Sequence, residues 1–307
     1  MANTVIQTSK SQMEKIKEYY SRFLIEKLPP GAVFVAKPPQ CTITAYRSGK
    51  VMFQGASGAE EAAKWGESQS KTIKASSATT TKLPAGFSRW SAIGSDEVGT
   101  GDFFGPITVV SAYVAKDHIP LLKELGVKDS KDLSDKQIVD IAKDLIHTVP
   151  YSLLILHNPK YNSLQEKGMS QGKMKAILHN QAILHLLDKL SPTQPEGILI
   201  DQFVEKNTYF KHISSQKRIQ KENVYFSTKG ESIHIAVAAA SIIARYAFLK
   251  EMDKLSAHAG VTIPKGAGKQ VDIAAAKIIK NKGIEELKNM TKWHFANSGK
   301  ALRIAGK

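Results

Sequence analysis

The chain has 307 residues, of which 42% are hydrophobic and 23% charged, with a formal net charge of +15. That composition excludes a disordered chain and allows one large domain or two smaller ones with a real core. One cysteine, Cys41, excludes an internal disulfide and points to a reducing compartment, the cytoplasm. Met1 to Lys10 lacks the basic-then-apolar order of a leader, and the longest apolar run, Ile233 to Leu249, is broken by His234, Ser241 and Arg245, so no membrane span is expected. The basic excess holds on both sides of Ser88, which suits a polyanion such as nucleic acid; a merely soluble basic protein is the alternative.

The first expected element is a helix carrying Met13, Ile16, Tyr19, Tyr20, Phe23 and Leu24, closed by Pro29-Pro30-Gly31. Strand patterns follow at Ala32 to Lys37 and Cys41 to Tyr46, and Ser48-Gly49 turns the chain into Val51 to Phe53. Ser57 is then expected to cap a short helix reaching Trp65. Lys37, Arg47 and Lys50 lie on or beside these strands, where cations can follow a phosphate backbone or simply keep an edge soluble. Residues 67–82 are rich in Ser and Thr and offer almost nothing to bury, so 67–88 is expected to be a flexible linker between a module at 1–66 and a body at 89–307.

The body opens on strands Trp90 to Ser95 and Ile107 to Val114. Helices are expected at Ser134 to His147, Gly172 to Leu190 and about Glu231 to Lys254, and strands at Tyr151 to His157, Gly197 to Ile200 and Asn223 to Ser227. Strands that lead and then alternate with helices predict an α/β fold, a mixed sheet covered on both faces.

Between the first two strands of the body runs S-D-E-V-G-T-G-D-F-F-G-P, residues 95–106. Adjacent side chains of an extended strand face opposite ways, so Asp96 and Glu97 can serve one site only if the strand ends there, before Gly99 and Gly101. Asp201 ends the apolar run G-I-L-I, at the sheet rim where open α/β folds hold ligands. Glu231 opens the long helix, where the dipole alone would favour an acid. Carboxylates gathered at element ends repel unless cations neutralise them, and oxygen ligands suit Mg²⁺ or Mn²⁺. Two such ions about 3.5–4 Å apart are suited to displacing an oxygen at phosphorus.

These residues resemble the first motif of the type 2 ribonucleases H. Further segments fit in order: K-D-S-K-D-L-S-D at 128–135, N-P-K-Y-N at 158–162, I-L-I-D at 198–201 and K-G-E-S-I-H-I-A-V-A-A-A-S-I-I-A-R at 229–245. The resemblance is closest to the ribonuclease HIII branch, because Gly99-Thr100-Gly101 replaces the Gly-Arg-Gly of HII and Glu231 replaces an Asp. It implies a ribonuclease-H-like mixed sheet flanked by helices, preceded by a small α+β module similar to the TATA-box-binding protein. It also implies that Asp96, Glu97, Asp201 and Glu231 form one catalytic, metal-binding set for two Mg²⁺ or Mn²⁺ ions. The implied activity is hydrolysis of the RNA strand of RNA–DNA hybrids, leaving 5′-phosphate and 3′-hydroxyl ends; separately from the resemblance, a monomer is expected. Substrate contacts are expected from Gly99, Thr100 and Gly101, whose backbone can approach a ribose, and from Ser130 and Lys131.

Two other readings stand beside this one. The first is incision at single ribonucleotides in duplex DNA, and the second is a nucleic-acid-binding protein without activity. P-K-G-A-G-K-Q, residues 264–270, lacks the first glycine and the Ser/Thr of a nucleotide-binding P-loop and reads as a basic loop. His234 is expected to be a packed helix residue, and Asp102 a surface-turn aspartate.

Overall fold

The computed structural model describes residues 3–26, 28–29, 32–46, 49–65 and 83–307, and the chain divides into two compact units, Met1–Ala78 and Thr79–Lys307. The first unit contains β1 (Asn3–Gln7), α1 (Lys10–Tyr19), β2 (Ala32–Ala36), β3 (Thr42–Tyr46), β4 (Lys50–Gln54) and α2 (Gly58–Ala63). Its strands form an antiparallel sheet in the order β1-β4-β3-β2. Alternate strand residues, among them Ile6, Val51, Ala45 and Phe34, share a buried cluster with Met13, Ile16 and Ala62 of the helices.

Three details of this unit differ from expectation. β1 is an additional strand; of its two aliphatic residues only Ile6 is buried while Val5 is 42% exposed, too short an alternation to read. α1 begins at Lys10, where the Ser9 hydroxyl accepts from the Gln12 N–H, and gives way to a 3-10 turn at Ser21–Phe23 instead of continuing to Leu24. α2 stops at Ala63, and Ser57 precedes it without capping it, because the Ser57 hydroxyl donates to the Pro39 carbonyl. The Pro30-Gly31 breaker, Arg47 and residues 66–82 lie outside the described residues.

Residues 83–88, the last part of the expected linker, pack onto the second unit: Phe87 is buried with Leu199 and Val237. The second unit then runs β5 (Ala92–Val98), β6 (Ile107–Val114), α3 (Ile119–Glu124), α4 (Asp135–Thr148), β7 (Tyr151–Leu156), α5 (Asn158–Glu166) and α6 (Gln171–Leu190). It continues with β8 (Gly197–Asp201), α7 (Lys206–Ile213), β9 (Val224–Ser227), α8 (Ile235–Ala259), α9 (Lys269–Lys282), α10 (Ile284–Met290) and α11 (Ala296–Ala305). The five strands are ordered β7-β6-β5-β8-β9. β7, β6 and β5 pair antiparallel, whereas β5, β8 and β9 pair parallel, giving the mixed sheet expected from the sequence.

Helices cover both faces of the central strand. On one face α8 lies directly on Gly94: a Cβ there would sit 2.2 Å from the Ala236 carbonyl carbon and the Val237 nitrogen. The Ala-Val-Ala-Ala-Ala start of α8 allows this approach because small side chains let a helix backbone close on a sheet. On the other face, Ile93 clusters with Ala176 and Ile183 of α6. A separate cluster joins Phe103 and Phe104 to Phe248 and to residues of α9, α10 and α11, which anchors the glycine-rich loop after β5. No described helix is long and apolar enough to cross a membrane.

Candidate active site

β5 does not end before Asp96. It runs to Val98, pairing Asp96 with Val110 and Glu97 with Val109, so the pleat sends the two acids to opposite faces. Asp96 faces α8, where the Ser241 hydroxyl beside it favours its charged form, and its Oδ1 accepts the Glu97 N–H at 2.7 Å. Glu97 faces α6: Lys175 Nζ lies 2.7 Å from one oxygen and His179 Nε2 lies 2.9 Å from the other. A carboxylate only accepts, so His179 donates through Nε2, and its Nδ1 meets the Ser95 hydroxyl at 2.7 Å. Phe203 stacks on the His179 ring with centroids 5.1 Å apart and lies under the Lys175 ammonium at 4.1 Å.

The parallel register brings in the third acid. Ser95 pairs with Ile200, so one step further Asp96 stands beside Asp201. Asp201 Oδ1 accepts the Gly230 N–H at 2.8 Å, tying the end of β8 to the segment before α8. Glu231 occupies a 3-10 turn, Gly230–Ser232, and not the first turn of the long helix as expected; α8 begins at Ile235 with His234 as its cap. Its Oε2 accepts the Ser130 N–H at 2.7 Å and its Oε1 lies 3.4 Å from Lys131 Nζ.

Electrostatics marks Asp96 as the centre. Burial pushes its carboxyl well above the usual range, and the charges of Glu97, Asp201 and Glu231 push the same way. Glu97 is also buried, which alone would raise it, but His179 and Lys175 hold it below the usual range. Burial would lower the Lys131 ammonium, yet Glu231, Asp129 and Asp201 hold it above its ordinary value. Glu97, Asp201 and Glu231 therefore all lie within electrostatic reach of Asp96. Among the described residues, however, no three His, Cys, Asp or Glu side chains close into a finished ion cage. The reason is visible: Glu97 is drawn toward α6, Glu231 toward the 130–131 backbone and ammonium, and like charges spread apart. An oxygen-only donor set centred on a buried Asp96 with excess negative charge fits a divalent cation.

The expected substrate contacts fall in different settings. Gly99 has φ +95°, and a Cβ would sit 2.2 Å from the Pro106 carbonyl oxygen, so its glycine serves the turn itself, whereas Gly101 faces open space. Thr100 gives its carbonyl to Gln171 at 3.1 Å, and its buried hydroxyl has no partner. Ser130 is buried with its hydroxyl, N–H and C=O all bound within the protein, while the Lys131 side chain is 72% exposed. Lys37 and Lys50 are exposed in the first unit.

Four residues that sequence reasoning passed over also serve the site: Lys175, His179, Ser241 and Arg245. Asp102 is a tie between loops and not a free surface turn, since its carboxylate accepts the Gly266 N–H at 2.5 Å. His234 is structural, capping the Ala236 N–H and meeting the Trp90 carbonyl.

A mixed sheet between helices, with acids gathered around the central strand end, defines a ribonuclease-H-like nuclease, and the comparisons with known proteins agree. Residues 93–298 match the family profile described as Ribonuclease HII, and residues 3–78 match one described as a domain of unknown function. The ribonuclease HIII of Bacillus subtilis strain 168 is 60% identical over 311 aligned residues, covering 100% of this chain and 99% of that protein. The ribonuclease HIII of Bacillus velezensis is 61% identical, covering 99% and 98% respectively. The crystal structure of Bst-RNase HIII in complex with Mn²⁺ superposes with a TM-score of 0.71 at 47% identity, covering 99% of both chains. Aquifex aeolicus RNase H3, at 22% identity and a TM-score of 0.53, shares the fold. The chain belongs to the ribonuclease HIII family.

Proposed function

We propose that this protein is a metal-dependent endoribonuclease that hydrolyses the RNA strand of RNA–DNA hybrids, leaving 5′-phosphate and 3′-hydroxyl ends. The observation that carries the reading is the convergence of Glu97, Asp201 and Glu231 on a buried Asp96, whose carboxyl is pushed up first by burial and then by those three charges. Such excess negative charge is stable at neutral pH only if protons or cations offset it. Asp96, Glu97, Asp201 and Glu231 would hold two divalent ions, Mg²⁺ or Mn²⁺, and a 47% identical relative is known as a Mn²⁺ complex. When bound, these ions neutralise the phosphodiester and activate the attacking water.

The chain's own residues divide the remaining work. Lys175 and His179 keep Glu97 ionised, and the Ser130 N–H orients Glu231. Lys131, exposed and beside Glu231, can reach a substrate phosphate. The open side of Gly101 admits a ribose, whose 2′-hydroxyl distinguishes RNA from DNA. Residues 1–66, with Lys37, Arg47 and Lys50, act as the substrate-gripping domain and 89–307 as the catalytic domain of a cytoplasmic monomer, joined by 67–88, of which 83–88 pack on the second unit.

The test is gel analysis of a labelled RNA–DNA hybrid with purified protein, with and without divalent ion. Cutting within the RNA strand only when Mg²⁺ or Mn²⁺ is added is expected. Cutting that persists in chelator, or none under any ion, would overturn the reading. A duplex with one ribonucleotide run beside it tests the HII-like alternative, which Thr100 disfavours.

A further inference from the structure

One loop residue is held by three different groups, and two of them come from one face of α8. Ser130 gives its N–H to Glu231 at 2.7 Å, its carbonyl accepts from Arg245 at 2.5 Å, and its hydroxyl meets the Ser241 hydroxyl at 2.9 Å. Ser241 and Arg245 stand four apart on α8, so they project from the same side one turn after the other. Ser241 is 2% exposed and lies beside the Asp96 carboxyl, whose charged form it favours.

The same short segment thus reaches Glu231 through its backbone N–H and, through the Ser130 and Ser241 hydroxyls, the side of α8 that faces Asp96. Arg245 sets where that segment stands, and its second nitrogen binds Asp135 at 2.8 Å. Asp135 in turn pairs with Lys265, and Asp102 binds the neighbouring Gly266 N–H, so the brace extends from α8 to the glycine-rich loop after β5.

We infer that Ser241 and Arg245 are positioning residues: they hold Ser130 so that Asp96 and Glu231, which sit on separate elements, keep a fixed separation. This rests on the proposed role of those two acids in holding divalent ions. Neither residue needs to touch substrate. Groups that orient metal ligands in this way commonly matter about 10–100-fold in metal affinity or activity.

The test uses the full chain as Ser241→Ala, Ser130→Ala, Arg245→Met and Arg245→Lys, with Glu231→Gln as a control. Steady-state rates on a hybrid with Mn²⁺ are measured, together with Mn²⁺ binding to the free protein by titration calorimetry and urea unfolding midpoints in chelator. Ser241→Ala, Ser130→Ala and Arg245→Met are expected to lower kcat by about 10–100-fold with KM changed less than about twofold, and to weaken Mn²⁺ binding by about tenfold. Arg245→Lys should recover part of the loss, because one ammonium can reach the Ser130 carbonyl but not Asp135 as well. Unchanged kcat and Mn²⁺ affinity in folded Ser241→Ala and Arg245→Met would overturn the inference, as would a rise in KM at constant kcat, which would make Arg245 a substrate contact. If wild type binds Mn²⁺ yet cuts no hybrid, the proposed function fails while calorimetry still decides the positioning role. Should Arg245→Met not fold, Ser241→Ala and Arg245→Lys decide it.

Discussion

Lys175→Met tests whether the α6 cations are what keep Glu97 charged. Methionine fills nearly the same volume but removes the ammonium 2.7 Å from Glu97, at a place where the two side chains are 9% and 11% exposed. Removing one partner of a buried ion pair typically costs 3–5 kcal/mol. Glu97 can escape part of this by taking up a proton. From an ordinary value of 4.5, protonation at pH 7 costs about 3.4 kcal/mol, which bounds the variant's own penalty. In wild type the Glu97 carboxyl is held below its ordinary value, so its contribution is present above that value and lost as pH falls through the native one. In the variant, burial without Lys175 drives the carboxyl upward, so the penalty opens as pH rises above about 4.5 and closes below it. Urea unfolding in chelator, followed by tryptophan fluorescence, should therefore show a loss of about 3 kcal/mol or more at pH 7 that is smaller by about 2–3 kcal/mol at pH 5. Adding Glu97→Gln should restore most of it, since no buried charge then remains. A loss that is small or independent of pH, or a double variant no better than the single one, refutes the reasoning.

Other outcomes are expected from the same structure. Asp201→Asn keeps the Gly230 N–H partner but removes a charge, and should cut hybrid turnover by at least about a hundredfold while leaving the urea midpoint nearly unchanged. Gly94→Ala puts a methyl 2.2 Å from the α8 backbone and should cost about 3 kcal/mol or more in a thermal melt. Burial brings the Lys292 amine, bonded to the Asp102 and Gly105 carbonyls, down to about 7. Its unfolded form binds more protons between that value and 10.5, so wild type should gain about 3 kcal/mol over Lys292→Met as pH rises from 7 to 10. Lys37→Glu and Lys50→Glu should weaken hybrid binding at low salt and flatten its salt dependence by roughly one counterion for each phosphate the lysine had neutralised; an unchanged slope would free these residues from any role in gripping substrate.

What could be read from the sequence was set by how local each signal is. The acids at 96, 97, 201 and 231 sit in short stretches with sharp turn chemistry, so they stand out in the sequence, and the fold brings the last three within electrostatic reach of Asp96. The end of β5 was not legible, because Asp and Glu are poor strand formers and Gly99 suggested an earlier stop. The ladder to β6 carries the strand through Val98 regardless. Lys175 and His179 were hidden in a helix read for its apolar period. A signal existed: both fall on the buried side with Met174, Ala176 and Ile183, where a lysine needs a partner. Ser241 and Arg245 interrupt the apolar face of α8 in the same manner. α9, α10 and α11 went unmarked because their amphipathic pattern becomes informative only once Phe103 and Phe104 are known to lie against them.

The pleat of β5 organises the rest. Ser95 and Glu97 point to α6, while Gly94 and Asp96 point to α8, so two acids adjacent in sequence answer to different helices. α6 supplies cations, which hold Glu97 below its usual range; α8 supplies only the Ser241 hydroxyl, which does not offset the burial and neighbouring charges that raise Asp96. The division reduces the negative charge that the fold must hold without a cation. One acid is neutralised from within, and Glu231 is partly offset by Lys131, so the net excess falls on Asp96 and Asp201 at neighbouring parallel strands. That is where a polyvalent cation gains most, because two strand ends fixed by the sheet ladder need no further ordering to receive it.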